Sequence, residues 1–112
     1  MTTHTYWASI GRNVAPGKLR PAGPLADDQW NWFASDLRSV VTNHDGTILA
    51  EVTGGRSTWE GESEETYLLL FTAPDSHAVE IIRAVFASIA RYYCQDCIGL
   101  VGGPGTDTLV YA

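Results

Sequence analysis

The order of its secondary-structure patterns constrains this chain more than any other feature of the sequence. Two amphipathic helical segments alternate with strand-like segments in the order strand, helix, strand, strand, helix, strand. This is the split βαβ arrangement, and right-handed crossovers place both of its helices on one face of a four-stranded antiparallel sheet. The sequence therefore predicts a ferredoxin-like α+β sandwich, as one domain over residues 1–112, with an extra edge strand possible at the C-terminus.

The boundaries of these elements come from turn residues and from the spacing of apolar side chains. Asp27 or Asp28 is predicted to cap the first helix, and Pro74-Asp75-Ser76 begins the second. Gly54-Gly55 is predicted to end the second strand, so that residues 56–65 form a polar crossing. The predicted strands are 3–10, 47–53, 66–72, 97–101 and the edge strand 108–111. The first predicted helix runs from its cap at Asp27 or Asp28 to the turn 43–46, and the second runs from Pro74-Asp75-Ser76 to about Tyr93.

The sheet face opposite the helices is predicted to be apolar. If Tyr67 and Phe71 face the helices, then Leu68 and Leu70 face outward, whereas a solvated sheet face should alternate to polar residues. Apolar surface of this kind is typical of an interface, and 45% of the residues are hydrophobic. Either a second copy of the chain covers this face, or the 11–26 loop or the C-terminal tail does. The predicted interface residues are Trp7, Leu49, Leu68 and Leu70.

Charge and hydropathy exclude several classes of protein. Seven basic residues against 13 acidic ones give a net charge of −6, whereas sequence-independent binding of nucleic acid needs a basic face. No apolar run approaches the ~18 residues that a membrane span requires, and the start MTTHTYW lacks the features of a signal peptide. We therefore expect a cytoplasmic protein that binds neither membrane nor nucleic acid directly.

Two motifs with possible chemistry are incomplete. Cys94-Gln95-Asp96-Cys97 has C-x-x-C spacing, but it is the only such pair and it follows a predicted helix, where the helix dipole disfavours a thiolate. We predict that both cysteines only pack. The glycine-rich segment 102–106 lacks the Lys-Ser/Thr ending of a phosphate-binding loop. With His4, His44 and His77 scattered, the sequence predicts no metal site, no cofactor and no catalytic constellation; enzymatic activity is not expected, though it is left open.

The segment Trp59–Glu65 holds four glutamates and one tryptophan in seven residues. Its carboxylates could meet a basic partner, bind a cation or supply a general acid of raised pKa. Alternatively, it is a solvated acidic loop that protects a sheet edge from pairing with other chains. Pairing of Glu64 or Glu65 with Arg12, across adjacent strands, is a further structural role.

Four short motifs together resemble a known group of sequences. They are Gly11-Arg12-Asn13, Trp30-x-x-Phe33, Trp59-x-Gly61-x-x-Glu64-Glu65 and Tyr93-x-Gln95-Asp96-x-Ile98. The chain resembles small uncharacterised proteins of actinobacteria and their phages and, more distantly, a bacterial domain family of unknown function with a Gln-Glu-Ser-Val ending. Cys97 stands where that ending has Ser. The resemblance implies the ferredoxin-like sandwich and no particular activity.

These motifs are predicted to meet at one end or edge of the sheet. The polar cluster they would form is either a buried network that ties loops together or a ligand site. We interpret the chain as a protein-interaction module, homodimeric through its open sheet face, that modulates a host protein. The alternatives are a small-molecule binder or small dimeric enzyme with a site near Arg12, Trp59 and Glu64, and an acidic mimic of nucleic acid. The candidate ligand or partner residues are Arg12, Asn13, Trp59, Glu64, Glu65, Gln95 and Asp96.

Overall fold

The computed structural model describes residues 4–15, 23–59, 61–102 and 107–111, with the side chains of residues 59 and 107–109 left outside the description. Seven strands and two helices occupy these ranges. They are β1 (His4–Gly11), β2 (Asn13–Val14), β3 (Gly23–Pro24), α1 (Asp27–Asn43), β4 (Thr47–Trp59), β5 (Glu62–Ala73), α2 (Ser76–Tyr92), β6 (Cys97–Gly102) and β7 (Asp107–Tyr111).

Five of these strands form one antiparallel sheet in the order β4-β5-β1-β6-β7. Strands β4, β5, β1 and β6 with the two helices reproduce the predicted split βαβ connectivity. Strand β1 pairs with β5 and β6, and β5 separates it from β4, the strand that follows α1. The fifth strand, β7, pairs with β6 at the edge, so the sheet has five strands rather than the basic four. Strands β2 and β3 form a separate two-stranded ribbon beside β1.

The core lies between the helices and one face of the sheet, and its residues follow the two periodicities of the sequence. On β5, Leu69 and Phe71 point inward and are fully buried, which decides the register that the sequence left open. On the helices, Phe33 and Phe86 are also fully buried. Burying side chains of this size is worth about 1.5–3 kcal/mol each, so this layer supplies most of the stability of the fold.

The prediction that Gly54-Gly55 ends the second strand is wrong. The strand continues to Trp59 and pairs with β5 along almost its whole length, with register shifts between Ile48 and Ala50 and between Val52 and Gly55. Gly54 has a φ of 73°, a left-handed conformation that glycine adopts without strain, so here it forms a bulge rather than a break. The predicted polar crossing is therefore the tip of a long hairpin, turning at Gly61.

The two helices begin differently. Helix α2 begins at the predicted segment 74–76, and Asp75 caps it, since its carboxylate accepts a hydrogen bond from the backbone N–H of Ala78 at 2.8 Å. Helix α1 follows Ala26, which has no side chain to cap with, and Asp27 and Asp28 instead lie in its first turn, where the helix dipole favours acids. Neither helix in the described part of the chain is long and apolar enough to cross a bilayer.

Candidate functional site

Two adjacent glutamates on β5 divide the predicted polar cluster into two parts. Successive side chains of a strand point to opposite faces of the sheet. Glu65 therefore points to the helix side, where its carboxylate meets Arg12, and Glu64 points to the outer face, where it packs over Gly11. The residues that the sequence placed in one cluster thus belong to two environments with different chemistry.

The part on the helix side is a closed hydrogen-bond network. Arg12 donates from Nη1 to Oε1 of Glu65 at 3.0 Å, and the indole of Trp30 donates to the other carboxylate oxygen of Glu65 at 3.0 Å. Arg12 also donates from Nε to the carbonyl of Leu25 at 2.7 Å and from Nη2 to Asp27 at 2.5 Å. Both oxygens of Glu65 and all three guanidinium nitrogens are engaged, so this network joins β1, β5 and α1 structurally.

The part on the outer face is open. The backbone N–H of Asn13 donates to Oε1 of Glu64 at 2.9 Å, and the amide of Gln95 donates to the backbone carbonyl of Asn13 at 3.0 Å. The N–H and C=O of one extended residue point to the same side, so Asn13 holds both side chains side by side. Glu64 and Gln95 are only 8% and 6% exposed.

Each of these two buried side chains keeps one acceptor without a hydrogen bond to the described residues. Oε1 of Glu64 accepts from Asn13, while Oε2 has no such partner. The Nε2 of Gln95 donates to the carbonyls of Asn13 and Tyr93, which fixes Oε1 as the free atom of that amide. In the described ranges, every fully buried polar side-chain atom has a hydrogen-bond partner. These two oxygens have none, so they are not fully buried and can be reached from the space beside them.

That space is a pocket of about 610 Å³ on the outer face of the sheet. Its floor is made of small residues on β1 and β6: a Cβ on Gly99 would lie 2.3 Å from Oγ of Ser9, and a Cβ on Gly11 would lie 2.2 Å from the carboxyl carbon of Glu64. The volume is within the range of pockets that hold small molecules. The lining includes Ser9, Gly11, Asn13, Val14, Ala15, Gly23, Ser57, Thr58, Glu62, Glu64, Thr66, Gln95, Asp96, Cys97 and Gly99.

The pocket is acidic and rich in hydrogen-bond acceptors. Glu62, Glu64 and Asp96 line it, and none of the lining residues in the described ranges is Lys or Arg. Burial raises the pKa of Glu64 above its ordinary value, although the hydrogen bond from Asn13 partly opposes this. Burial therefore disfavours the ionised form of Glu64, and a ligand of positive charge could relieve this cost.

The structure places the predicted ligand or partner residues as follows. Asn13, Glu64, Gln95 and Asp96 line the pocket, whereas Arg12 and Glu65 belong to the network on the helix side. The backbone of Trp59 pairs with Glu62 at the hairpin tip, and its side chain is outside the description.

Sequence reasoning missed the small residues of the floor, Ser9, Gly11 and Gly99. The signal that could have found them is Gly99 in the predicted strand 97–101, because a glycine inside a strand often marks a place where another group approaches closely.

The outer face beside the pocket carries an apolar strip, defined here as Trp7, Val52, Leu68, Leu70 and Val101. Trp7 is paired with both Leu70 and Val101, and Leu68 is paired with Val52, so these side chains share one face of the sheet. Trp7, Val52 and Val101 are 37%, 41% and 46% exposed, and Leu68 and Leu70 are half-buried. The predicted interface residue Leu49 is also exposed, but it lies in the first bulge of β4.

The cysteines and histidines form no metal site in the part of the chain that is described. No three His, Cys, Asp or Glu side chains within 4–15, 23–59, 61–102 and 107–111 come together so as to hold a metal ion. Neither cysteine forms a disulfide with another described residue, and both are half-buried: Cys94 follows α2 with a φ of 57°, and Cys97 begins β6 at the edge of the pocket.

Comparison with known proteins shows the fold. No protein-family model and no curated protein matches the sequence. Among solved structures, the chain is similar to 30S ribosomal protein S6 from Thermotoga maritima, with a TM-score of 0.64 and 8% identity over 91% of this chain and 89% of that one. It is also similar to a phage SAM lyase in complex with S-methyl-5′-thioadenosine, with a TM-score of 0.59 and 8% identity over 98% and 90% of the two chains.

A third similar structure is a protein of unknown function from Rhodopseudomonas palustris, with a TM-score of 0.50 and 13% identity over 94% of this chain and 84% of that one. At these identities the likeness extends to the ferredoxin-like fold alone, and proteins with this fold perform unrelated functions. The predicted origin in actinobacteria or their phages stays a prediction.

Proposed function

We propose that this protein binds a small molecule in the outer-face pocket, with Glu64 as the central binding residue. The single observation that carries this proposal is the pairing of a cavity of about 610 Å³ with Glu64, a residue only 8% exposed whose carboxylate keeps one oxygen unbonded within the described ranges. A carboxylate that served only to tie loops together would have both oxygens engaged, as Glu65 does.

The experiment is a ligand screen with the intact chain. Thermal unfolding would be followed with a library of small polar compounds, and S-methyl-5′-thioadenosine would be the first named probe because it was bound to a protein of this fold. Compounds that raise the unfolding temperature would then be tested on Glu64→Gln and on the matched control Glu80→Gln, which removes the same charge from an exposed position on α2.

We expect binding to persist in the control and to fall at least tenfold in Glu64→Gln. The proposal is wrong if no compound binds the wild-type chain, or if every compound that binds does so equally well to Glu64→Gln. No covalent step is assigned to Glu64, and the pocket supports binding without requiring that the protein be an enzyme.

The second candidate function is self-association through the apolar strip, which retains the interpretation of the chain as an interaction module. The occupant we propose is a second copy. The outward-facing residues from Thr66 to Thr72 on β5 and from Thr5 to Ser9 on β1 carry no charge, so two copies can approach there despite the net charge of −6. Exposed apolar side chains at the centre and acids at one end match the usual anatomy of an interface.

Sedimentation velocity would test this candidate with Leu70→Glu on the strip and Trp32→Glu as the control, since Trp32 is an exposed apolar residue of α1. We expect a wild-type dimer, a dimeric control and a monomeric Leu70→Glu variant that remains folded. A monomeric wild-type chain at high concentration would rule the candidate out. Modulation of a host protein stays a prediction that no described contact addresses.

A further inference from the structure

The unpaired acceptors of the pocket define the charge of the ligand it would take. Asn13 holds the side chains of Glu64 and Gln95 on one side: its N–H donates to Oε1 of Glu64, and its C=O accepts from Nε2 of Gln95. The atoms left unpaired are Oε2 of Glu64 and Oε1 of Gln95. A group that contacts both oxygens must donate at least two hydrogen bonds, because each of these atoms can only accept while Glu64 is ionised. A primary ammonium has three such donors on one atom.

Gln95 supplies an observation that is independent of the acidic residues. The residue is only 6% exposed, and both hydrogens of its Nε2 are used on the backbone carbonyls of Asn13 and Tyr93. The oxygen that remains lines the pocket without a partner among the described residues. A neutral acceptor fixed in this orientation favours a donor-bearing ligand, whatever the ionisation state of Glu64.

The charged side chains that line the pocket beside Glu64 within the described ranges are all acidic. On its own strand Glu62 lines the pocket, and Asp96 and the thiol of Cys97 line it from the segment that leads into β6. From β4, the pocket is lined by the uncharged Ser57 and Thr58, and no basic side chain of the described ranges lines it from any element. Among the lining residues that the structure describes, an anionic ligand would meet only negative charge, whereas a cation would be attracted without displacing an existing ion pair.

We propose that the ligand of the outer-face pocket is a small organic cation, a primary amine whose ammonium group donates hydrogen bonds to Glu64 and Gln95. This proposal rests on the proposed function, since it names the chemical class that the same pocket accepts. The remaining volume takes the neutral part of the molecule, against the hydroxyl groups of Ser9, Ser57, Thr58 and Thr66.

The test uses one scaffold in three charge states. Tyramine, tyrosol and 4-hydroxyphenylacetate share the phenol ring and differ in bearing an ammonium, a hydroxyl and a carboxylate. A second set consists of 5′-amino-5′-deoxyadenosine, adenosine and the corresponding 5′-carboxylate. Binding of each to the intact chain would be measured by ligand-observed NMR at constant ionic strength, with calcium chloride as a competitor for non-specific attraction to acids.

We expect the amine of at least one set to bind at least tenfold more tightly than its alcohol, and the carboxylate not to bind. The affinity of the amine should fall as the pH is lowered through the raised pKa of Glu64, because a protonated carboxyl loses its charge. Glu64→Gln should remove both the preference and this pH dependence, whereas Glu80→Gln should change neither.

The possible failures are distinguishable. If the alcohols or carboxylates bind in a Glu64-dependent way and the amines do not, the pocket binds small molecules but the inference about charge is wrong. If calcium displaces a bound amine as readily as the amine of the other set displaces it, the attraction is non-specific. The inference about charge is then also wrong. If no compound of either set or of the wider library binds, both the proposed function and the inference about charge are wrong.

Discussion

Replacing Glu64 and Glu65 one at a time by glutamine should have opposite effects on stability, although the residues are neighbours. Each change removes one negative charge and keeps the shape of the side chain. The physical difference is in what the two oxygens of each carboxylate contact. The two oxygens of Glu65 accept from Arg12 and from the indole of Trp30. In Glu64, one oxygen accepts from a backbone N–H, and the other faces the open pocket.

For Glu65→Gln, one of the two oxygen positions becomes an NH₂ group that faces another donor. A hydrogen bond to a charged partner is worth about 1.5–3 kcal/mol, and the side chain of Glu65 is 32% exposed, which reduces this. We expect the free energy of unfolding to fall by about 1–2 kcal/mol, which lowers Tm by about 4–8 °C in a domain of this size.

For Glu64→Gln, the amide oxygen can still accept from Asn13, and the new NH₂ group points into the pocket. Burial raises the pKa of Glu64, so the folded chain holds this proton at a pH where the unfolded chain has lost it. The stability of the wild type therefore falls as the pH rises from the ordinary pKa of glutamate through the raised pKa of Glu64. The variant lacks this loss and should be as stable as the wild type at low pH, and more stable above the raised pKa.

Urea unfolding followed by circular dichroism, from about pH 4 to pH 8, would measure both differences. The difference between Glu64→Gln and the wild type should grow with pH and then become constant, while Glu65→Gln should be less stable than the wild type at every pH above the ordinary carboxyl range. If Glu64→Gln proves as destabilising at neutral pH as Glu65→Gln, then Glu64 is part of a structural network, and the reasoning that makes it a binding residue is refuted.

Three further substitutions test the geometry. Gly11→Ala places a Cβ 2.2 Å from the carboxyl carbon of Glu64, so it should displace that side chain and weaken ligand binding at least tenfold while the chain still unfolds cooperatively, as calorimetry would check. Gly102→Ala meets the backbone carbonyl of Thr5 at 2.3 Å and has a φ of 127°, so it should cost about 2 kcal/mol or more in urea unfolding; a neutral effect would mean that β1 and β6 are not packed as described. Phe33→Ala removes a fully buried ring that stacks on Tyr93 and should cost about 3–5 kcal/mol, and a cost under about 1 kcal/mol would contradict its central place in the core.

The fold was predictable from the sequence because its signals are local and redundant. The helical stripe that includes Phe33 defines a buried face without knowledge of the rest of the chain, and the apolar run from Tyr67 to Phe71 indicates a strand, although it does not show which of its faces meets the helices. The prediction failed at Gly54, where a glycine can either end a strand or form a bulge within it. Pairing with the long strand β5 decides between these outcomes, and the residues beside Gly54 do not show that this pairing continues past the bulge.

The sequence predicted which residues belong to the candidate site but not how they are arranged. The sequence indicated that Arg12, Glu64, Glu65 and Gln95 would come together, but it did not show that the sheet separates them. That separation depends on the register of β5, because a shift of one residue would exchange the faces of Glu64 and Glu65. The pocket itself depends on Gly99 opposite Ser9, a pairing across two strands that are about 90 residues apart.

The position of the pocket also connects the two candidate functions. Ser9 lies on the floor of the pocket, two residues from Trp7 on the same face of β1, so the pocket and the apolar strip are contiguous. A second copy that covered the strip would lie at the mouth of the pocket and change access to Glu64. If both functions hold, the binding of a ligand that reaches the mouth of the pocket is therefore coupled to self-association, and thermodynamic linkage requires each to change the affinity of the other by the same factor. A ligand that fills only the floor would leave the dimer unchanged, whereas one that reaches past Ser9 would contact the partner copy or exclude it.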